Sequence, residues 1–167
     1  MYGIYCRTIG LLSLLILVGC GVTDPEVLSL REKFLLDTEP QGATGILDLQ
    51  ENLDGKPAAV VVVGQIGGLV DPWSPGQTSF VIADPIITVD GEGHSESCDC
   101  PFCNKTSEET EGLALIQFLD QEGNILMHDA RKLFGVAKDQ MVVVQGDAEM
   151  TNLGHVVVAA RGLYVRR

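Results

Sequence analysis

Positive charge is scarce in this chain. Eleven Lys and Arg stand against 23 Asp and Glu, a formal net charge of -12. Such an acidic chain repels phosphate backbones, so nucleic acid is not an expected partner. Long apolar runs are missing after residue 20, and a spanning helix takes about 20 consecutive apolar residues, so no transmembrane helix is expected in the rest of the chain. Catalytic signatures are missing too. The chain has no Gly-x-Ser-x-Gly elbow and no His-Glu-x-x-His pair. The glycines of Gly64-Gln65-Ile66-Gly67-Gly68 precede no Lys-Ser/Thr pair. They therefore do not form a phosphate loop, and no nucleotide is expected; bending a strand suits them better.

What is present begins with a targeting segment. One positive charge, Arg7, precedes an apolar stretch over residues 9–18 that only Gly10 and Ser13 interrupt. It is too short to span a bilayer and has the length of a secretory signal core. The stretch ends in Leu17-Val18-Gly19-Cys20, which resembles the lipobox of bacterial lipoproteins. The resemblance implies removal of residues 1–19, acylation of Cys20, export, and a membrane anchor on the periplasmic side. Gly21 rather than Asp follows, which in Gram-negative lipoproteins points to the outer membrane. The competing reading is an ordinary signal peptide with a chance Cys. Cleavage leaves 148 residues, enough for one domain with a core. The charge becomes -13, because Arg7 is the only charged residue removed. Anionic headgroups would repel that chain, so the lipid itself is the expected membrane contact.

Residues 20–57 read as a lipidated tether with a short helix. Thr23-Asp24-Pro25-Glu26 is a helix start, with Thr23 as the capping residue, and Val27, Leu30 and Phe34 recur at helical spacing, an apolar stripe that suits packing on the domain better than a solvated linker. Residues 46–53 suit a short helix or a strand equally. From residue 58 the pattern turns to β. Residues 58–66 are a β-branched run, and residues 78–84 alternate, with Phe80 and Ile82 on one face and Val81 and Ala83 on the other. Further strands are expected over 113–120, 125–127, 140–150 and 155–166. Asp129 and Gly135 bracket a helix of one or two turns.

This order predicts a mainly β domain over residues 58–167. It resembles the OB-fold, a small five-stranded Greek-key barrel with a short helix between strands three and four. Gly146-Asp147-Ala148-Glu149 and Ala159-Ala160-Arg161-Gly162-Leu163-Tyr164-Val165 carry the likeness in its last two strands. One exported OB-fold family is the haem chaperone of cytochrome c maturation, which attaches haem through a His near its C terminus. Here that region reads Tyr164-Val165-Arg166-Arg167, so no haem is expected. The whole pattern looks closer to uncharacterised exported OB-fold lipoproteins with a Cys-Pro-Phe-Cys insertion, a likeness that carries no activity with it.

That insertion, residues 90–112, holds the most chemically distinctive stretch. His94, Cys98, Cys100 and Cys103 lie within ten residues. Cys-x-x-Cys sets two thiolates at the bite tetrahedral zinc requires, and Cys98 with His94 completes a Cys₃His set. Such a shell leaves no open position for water, so the metal would be structural. Soft ligands also accept Cu⁺, the runner-up. The rivals are a disulfide-stapled loop on an envelope interaction or scaffold protein, and a thiol redox motif. Asn104 stands where covalent c-type haem needs His. Lipidation of Cys20 and loss of Cys6 leave three thiols, and an odd number cannot all pair.

Three further candidates remain. Trp73, Phe80 and Phe118 are the candidate ligand face of the barrel, with burial of both Phe rings in the core as the competing reading. His128-Asp129 is either an acid–base pair or a surface His beside a helix cap. His155 is expected to be exposed at the start of a strand. No catalytic residue is assigned. The expected protein is a non-catalytic, membrane-anchored envelope lipoprotein with a metal-binding loop.

Overall fold

The structure is a computed structural model that describes residues 24–86 and 111–167. Its elements are helix α1 (Pro25–Phe34), helix α2 (Ile46–Asn52), strands β1 (Ala58–Ile66), β2 (Ser79–Ala83) and β3 (Leu113–Phe118), helix α3 (Ala130–Phe134), and strands β4 (Met141–Met150) and β5 (Val156–Val165). The strands close into a barrel in the order β1-β2-β3-β5-β4. Only β3 and β5 pair in parallel; the other neighbours are antiparallel. With α3 between β3 and β4, this is the OB-like architecture the strand order predicts.

Side-chain alternation builds the interior. Along β1 the buried positions are Val62, Gly64 and Ile66. In β2, Phe80 and Ile82 join the main core, while Val81 and Ala83 turn outward into a second cluster with Leu113 and Leu115. Leu69 and Val157 pack on that outer cluster, so β2 is buried on both faces. Gly68 lets the covering loop close. Its φ is +81°, and a Cβ there would stand 2.4 Å from Leu113 Cδ2.

The segment before β1 is part of the same body. Phe34, Ile46 and Leu49 belong to the main core. Thr44 bridges Val62, its N–H donating to the Val61 carbonyl, and the Leu36 N–H donates to the Leu163 carbonyl. The predicted division at residue 57 therefore separates stretches of chain, not cores. Helix α1 begins at Asp24 rather than Thr23. The Asp24 carboxylate accepts from the Glu26 N–H at 3.0 Å, and Pro25 takes the first helical position. At the other end Arg31 donates to the Leu133 and Lys132 carbonyls, the unpaired acceptors at the end of α3, and ties the two helices together. The stretch 46–53 takes the helical reading, with Ile46–Asn52 as α2 and Leu53 as its C-cap.

Helix α3 starts and stops as its sequence reads. Asp129 accepts from the Arg131 and Lys132 N–H groups, and Gly135 closes the helix at φ +70°. The hydrogen bond from Arg131 holds the Asp129 carboxyl below the usual carboxylate range. The expected strand at 125–127 is only a single bridge, Leu119 to Ile125, and the chain turns away to leave Met127 72% exposed. His155 departs from expectation more sharply, being buried at 3% exposure. The β4–β5 turn folds back on itself there. The Thr151 N–H donates to the His155 carbonyl, and the His155 N–H donates to Thr151 Oγ1.

Candidate functional site

Cys20, His94, Cys98, Cys100 and Cys103 all lie outside the described residues. What the fold supplies is the stem from which the Cys/His insertion departs. Ala83 and Leu113 are the last registered pair of β2 and β3. Immediately beyond them the Asp84 N–H donates to the Gly112 carbonyl at 2.7 Å. The strand end from which the chain departs thus sits beside the residue at which it returns.

Helix α2 clamps both ends. Its N-cap, Gly45, has no side chain to satisfy the first-turn N–H groups. The Asp84 carboxylate does so from 37 residues away, with Oδ2 accepting from the Leu47 N–H at 3.1 Å. A Cβ on Gly45 would stand 2.6 Å from that same oxygen, which explains the glycine. Asp84 Oδ1 accepts from the Ile86 N–H at 3.0 Å, fixing the outgoing turn. On the returning side, Gln50 Oε1 accepts from the Gly112 N–H at 2.7 Å. Asp84 is 3% exposed, so these charge-assisted bonds work with little competition from water. Asp84→Ala removes the buried carboxylate that accepts from the Leu47 and Ile86 N–H groups and is expected to lower stability by about 1–3 kcal/mol. Urea unfolding followed by circular dichroism checks it. An unchanged midpoint would mean that α2 does not depend on the stem.

The candidate ligand face does not survive. Phe80 and Phe118 have no exposed surface, and both belong to the main core. The reason is geometric: alternation turns Phe80 inward, and α1 and α3 close over Phe118. The Phe118 ring centroid lies 5.2 Å from that of Phe34 and 4.6 Å from that of Phe134. Trp73 is half-buried. Its ring is 5.7 Å from Phe80 on one side, and the Arg131 guanidinium carbon lies 5.6 Å from its centroid. Arg131 is bonded in turn to Asp129 at 2.5 Å. The carboxylate of Asp129 is therefore engaged by Arg131 and by backbone, while His128 Nε2 faces Glu26 Oε1 at 3.6 Å. The capping reading of Asp129 explains this geometry without acid–base chemistry.

A cavity of about 650 Å³ opens elsewhere, between the chain after α1 and the end of β5, lined by Leu35, Leu36, Phe134, Gln140, Tyr164 and Arg166 among others. Glu39 takes the Arg166 guanidinium at 2.5 Å, and Trp73, Phe80, Phe118, His128 and His155 are not among the residues that line the cavity. Among the described residues no three His, Cys, Asp or Glu side chains are grouped to hold a metal ion, and no helix is long and apolar enough to cross a membrane.

Sequence reasoning missed Asp84 and Gln50. Asp84-Pro85 after an apolar run reads only as the end of a strand. Nothing local says that its carboxylate caps a distant helix. No family model matches the chain, and no curated protein matches it.

Proposed function

We propose that this protein is a non-catalytic lipoprotein of the cell envelope, exported by residues 1–19, anchored through lipid on Cys20, and carrying zinc in its insertion. His94, Cys98, Cys100 and Cys103 are the ligands, and the metal is structural. One observation supports this most. Three Cys and one His fall within ten residues of the chain between Asp84 and Gly112, which are hydrogen-bonded to each other and held by α2 through Leu47 and Gln50. A loop closed at its base but poor in apolar residues gains little from burial and needs an internal cross-link to order it. Zinc supplies that link, since four ligands satisfy its tetrahedral shell.

Elemental analysis tests the reading on the chain beginning at Gly21, purified under reducing conditions with zinc supplied. About one zinc per chain is expected, and Cys100→Ser should lose most of it. Cu⁺ supplied in parallel competes for the same thiolates. Absence of stoichiometric metal in every arm sinks the metal site. A free-thiol count then identifies the rival. One reactive thiol without reductant and three with it would establish a disulfide-stapled loop, as on an interaction or scaffold protein.

A further inference from the structure

The spacing between Cys20 and the folded body bears on how the protein meets the membrane, given the lipid-anchored reading above. Asp24, the cap of α1, is four residues from Cys20. Four extended residues span at most about 14 Å. Helix α1 cannot peel away to lengthen this reach, because Phe34 is in the main core and Arg31 is bonded to the end of α3. Asp24 therefore stays within about 14 Å of the lipid-bearing residue, and the first turn of α1 lies within about 5 Å more.

That turn marks one end of the barrel. Glu26 on α1 faces His128 at 3.6 Å, so the turn leading into α3 lies beside it. The Thr78 hydroxyl donates to the His128 carbonyl at 2.8 Å, placing the start of β2 and the end of β3 at the same end. The insertion stem, Asp84 to Gly112, is at the other end of the β2–β3 pair. The six residues of β3 put about 17 Å between the two. Exposed apolar side chains occur at both ends, Leu28 at 47% and Met127 at 72% at the anchored one and Ile86 at 84% beside the stem, so the short tether and not apolarity chooses the end that meets the bilayer. Long apolar side chains among polar neighbours suit the headgroup boundary of a bilayer.

We propose that the barrel rests on the bilayer surface with its α1–α3 end towards the lipid, Met127 and Leu28 meeting the interface, and the insertion stem facing the aqueous compartment. The anchor does not act as a long leash. It orients the domain.

The full chain, processed in a bacterial host, is reconstituted in phosphatidylcholine vesicles containing a headgroup-nitroxide lipid. Tryptophan reporters are placed as Met127→Trp or Ile86→Trp in a Trp73→Phe background, with Leu28→Trp as a second reporter at the anchored end. Ile86 is 84% exposed beside the stem, so it reports the far end. Quenching severalfold stronger at 127 and 28 than at 86 is expected. Ten Gly/Ser residues inserted after Gly21 should bring the ratio towards one. An acylated chain quenched equally at both ends, or more at 86, overturns the orientation alone. So does an acylated chain whose position 127 is shielded in a cross-linked dimer, which assigns the patch to a second copy. A chain whose mass shows no acyl group overturns the lipoprotein reading, and the orientation with it.

Discussion

Phe118→Ala is expected to lower stability by about 3–5 kcal/mol, the range for losing a large buried aromatic. Its ring has no exposed surface and serves three elements at once. It packs edge-on against Phe34 of α1 at 5.2 Å, against Phe134 of α3 at 4.6 Å, and near Phe80 of β2 at 6.2 Å. Each aromatic contact adds about 0.5–1.5 kcal/mol beyond area burial. Barrel walls made of hydrogen-bonded strands collapse poorly around a void, so little of the cavity cost is recovered. With urea m-values of about 1–3 kcal/mol/M for small domains, the unfolding midpoint should fall by more than 1 M. Phe118→Leu should restore most of the loss. A loss below about 1 kcal/mol would show that α1 and α3 do not close this end as a packed unit.

The second large effect is expected at Gly146. Strand β4 changes register against β5 between Gln145 and Gly146, and Arg161 is passed over in the pairing. The two backbones approach so closely at this bulge that a Cβ on Gly146 would lie 2.3 Å from the Ala159 carbonyl oxygen and 3.0 Å from the Ala160 Cα. Both obstacles are main chain, which cannot rotate aside as a side chain can. Gly146→Ala should therefore cost about 3 kcal/mol, at the upper end for overpacking. For a chain of this length that lowers the melting temperature by roughly 6–12 °C. Gly123→Ala is the matched control. Its φ is +87° and nothing lies within 4 Å, so only the left-handed backbone penalty of about 1–2 kcal/mol applies. If the two variants melt together, the close approach at the bulge is not what requires glycine there.

Much of the architecture was legible because it rests on short-range rules. The β-branched run at 58–66 became β1 with the same limits. Alternation in β2 sorted Phe80 and Ile82 from Val81 and Ala83 as read. Asp129 and Gly135 bracket α3 through hydrogen bonds and a left-handed turn that need only neighbouring residues. What was left open between two readings, or misread, has a different origin. Phe80 and Phe118 were candidates for an open platform because alternation tells which residues share a face, not which face is covered. Phe118 is covered by α1 and α3, and Phe80 lies between Trp73 and Phe118, contacts that join distant parts of the chain. His155 was read as exposed because nothing in its neighbours reveals how the turn from Thr151 folds over it.

The candidate site divides along the same line. His94, Cys98, Cys100 and Cys103 are a local spacing, and local spacing alone carries the metal reading. The sequence by itself determined the five strands of the barrel, helices α1 and α3, their order, the inward face of β2 and the position of the Cys/His insertion. Each follows from backbone sterics and solvation acting over a few residues. Only the tertiary structure decided that α2 belongs to the barrel core, where on the barrel the apolar stripe of α1 packs, that Asp84 caps α2 while pinning the insertion stem, and that the stem lies at the opposite end from α1. Those outcomes depend on contacts between residues tens of positions apart. Such contacts are chosen by the closure of the whole barrel and the burial it allows, and no local pattern records them.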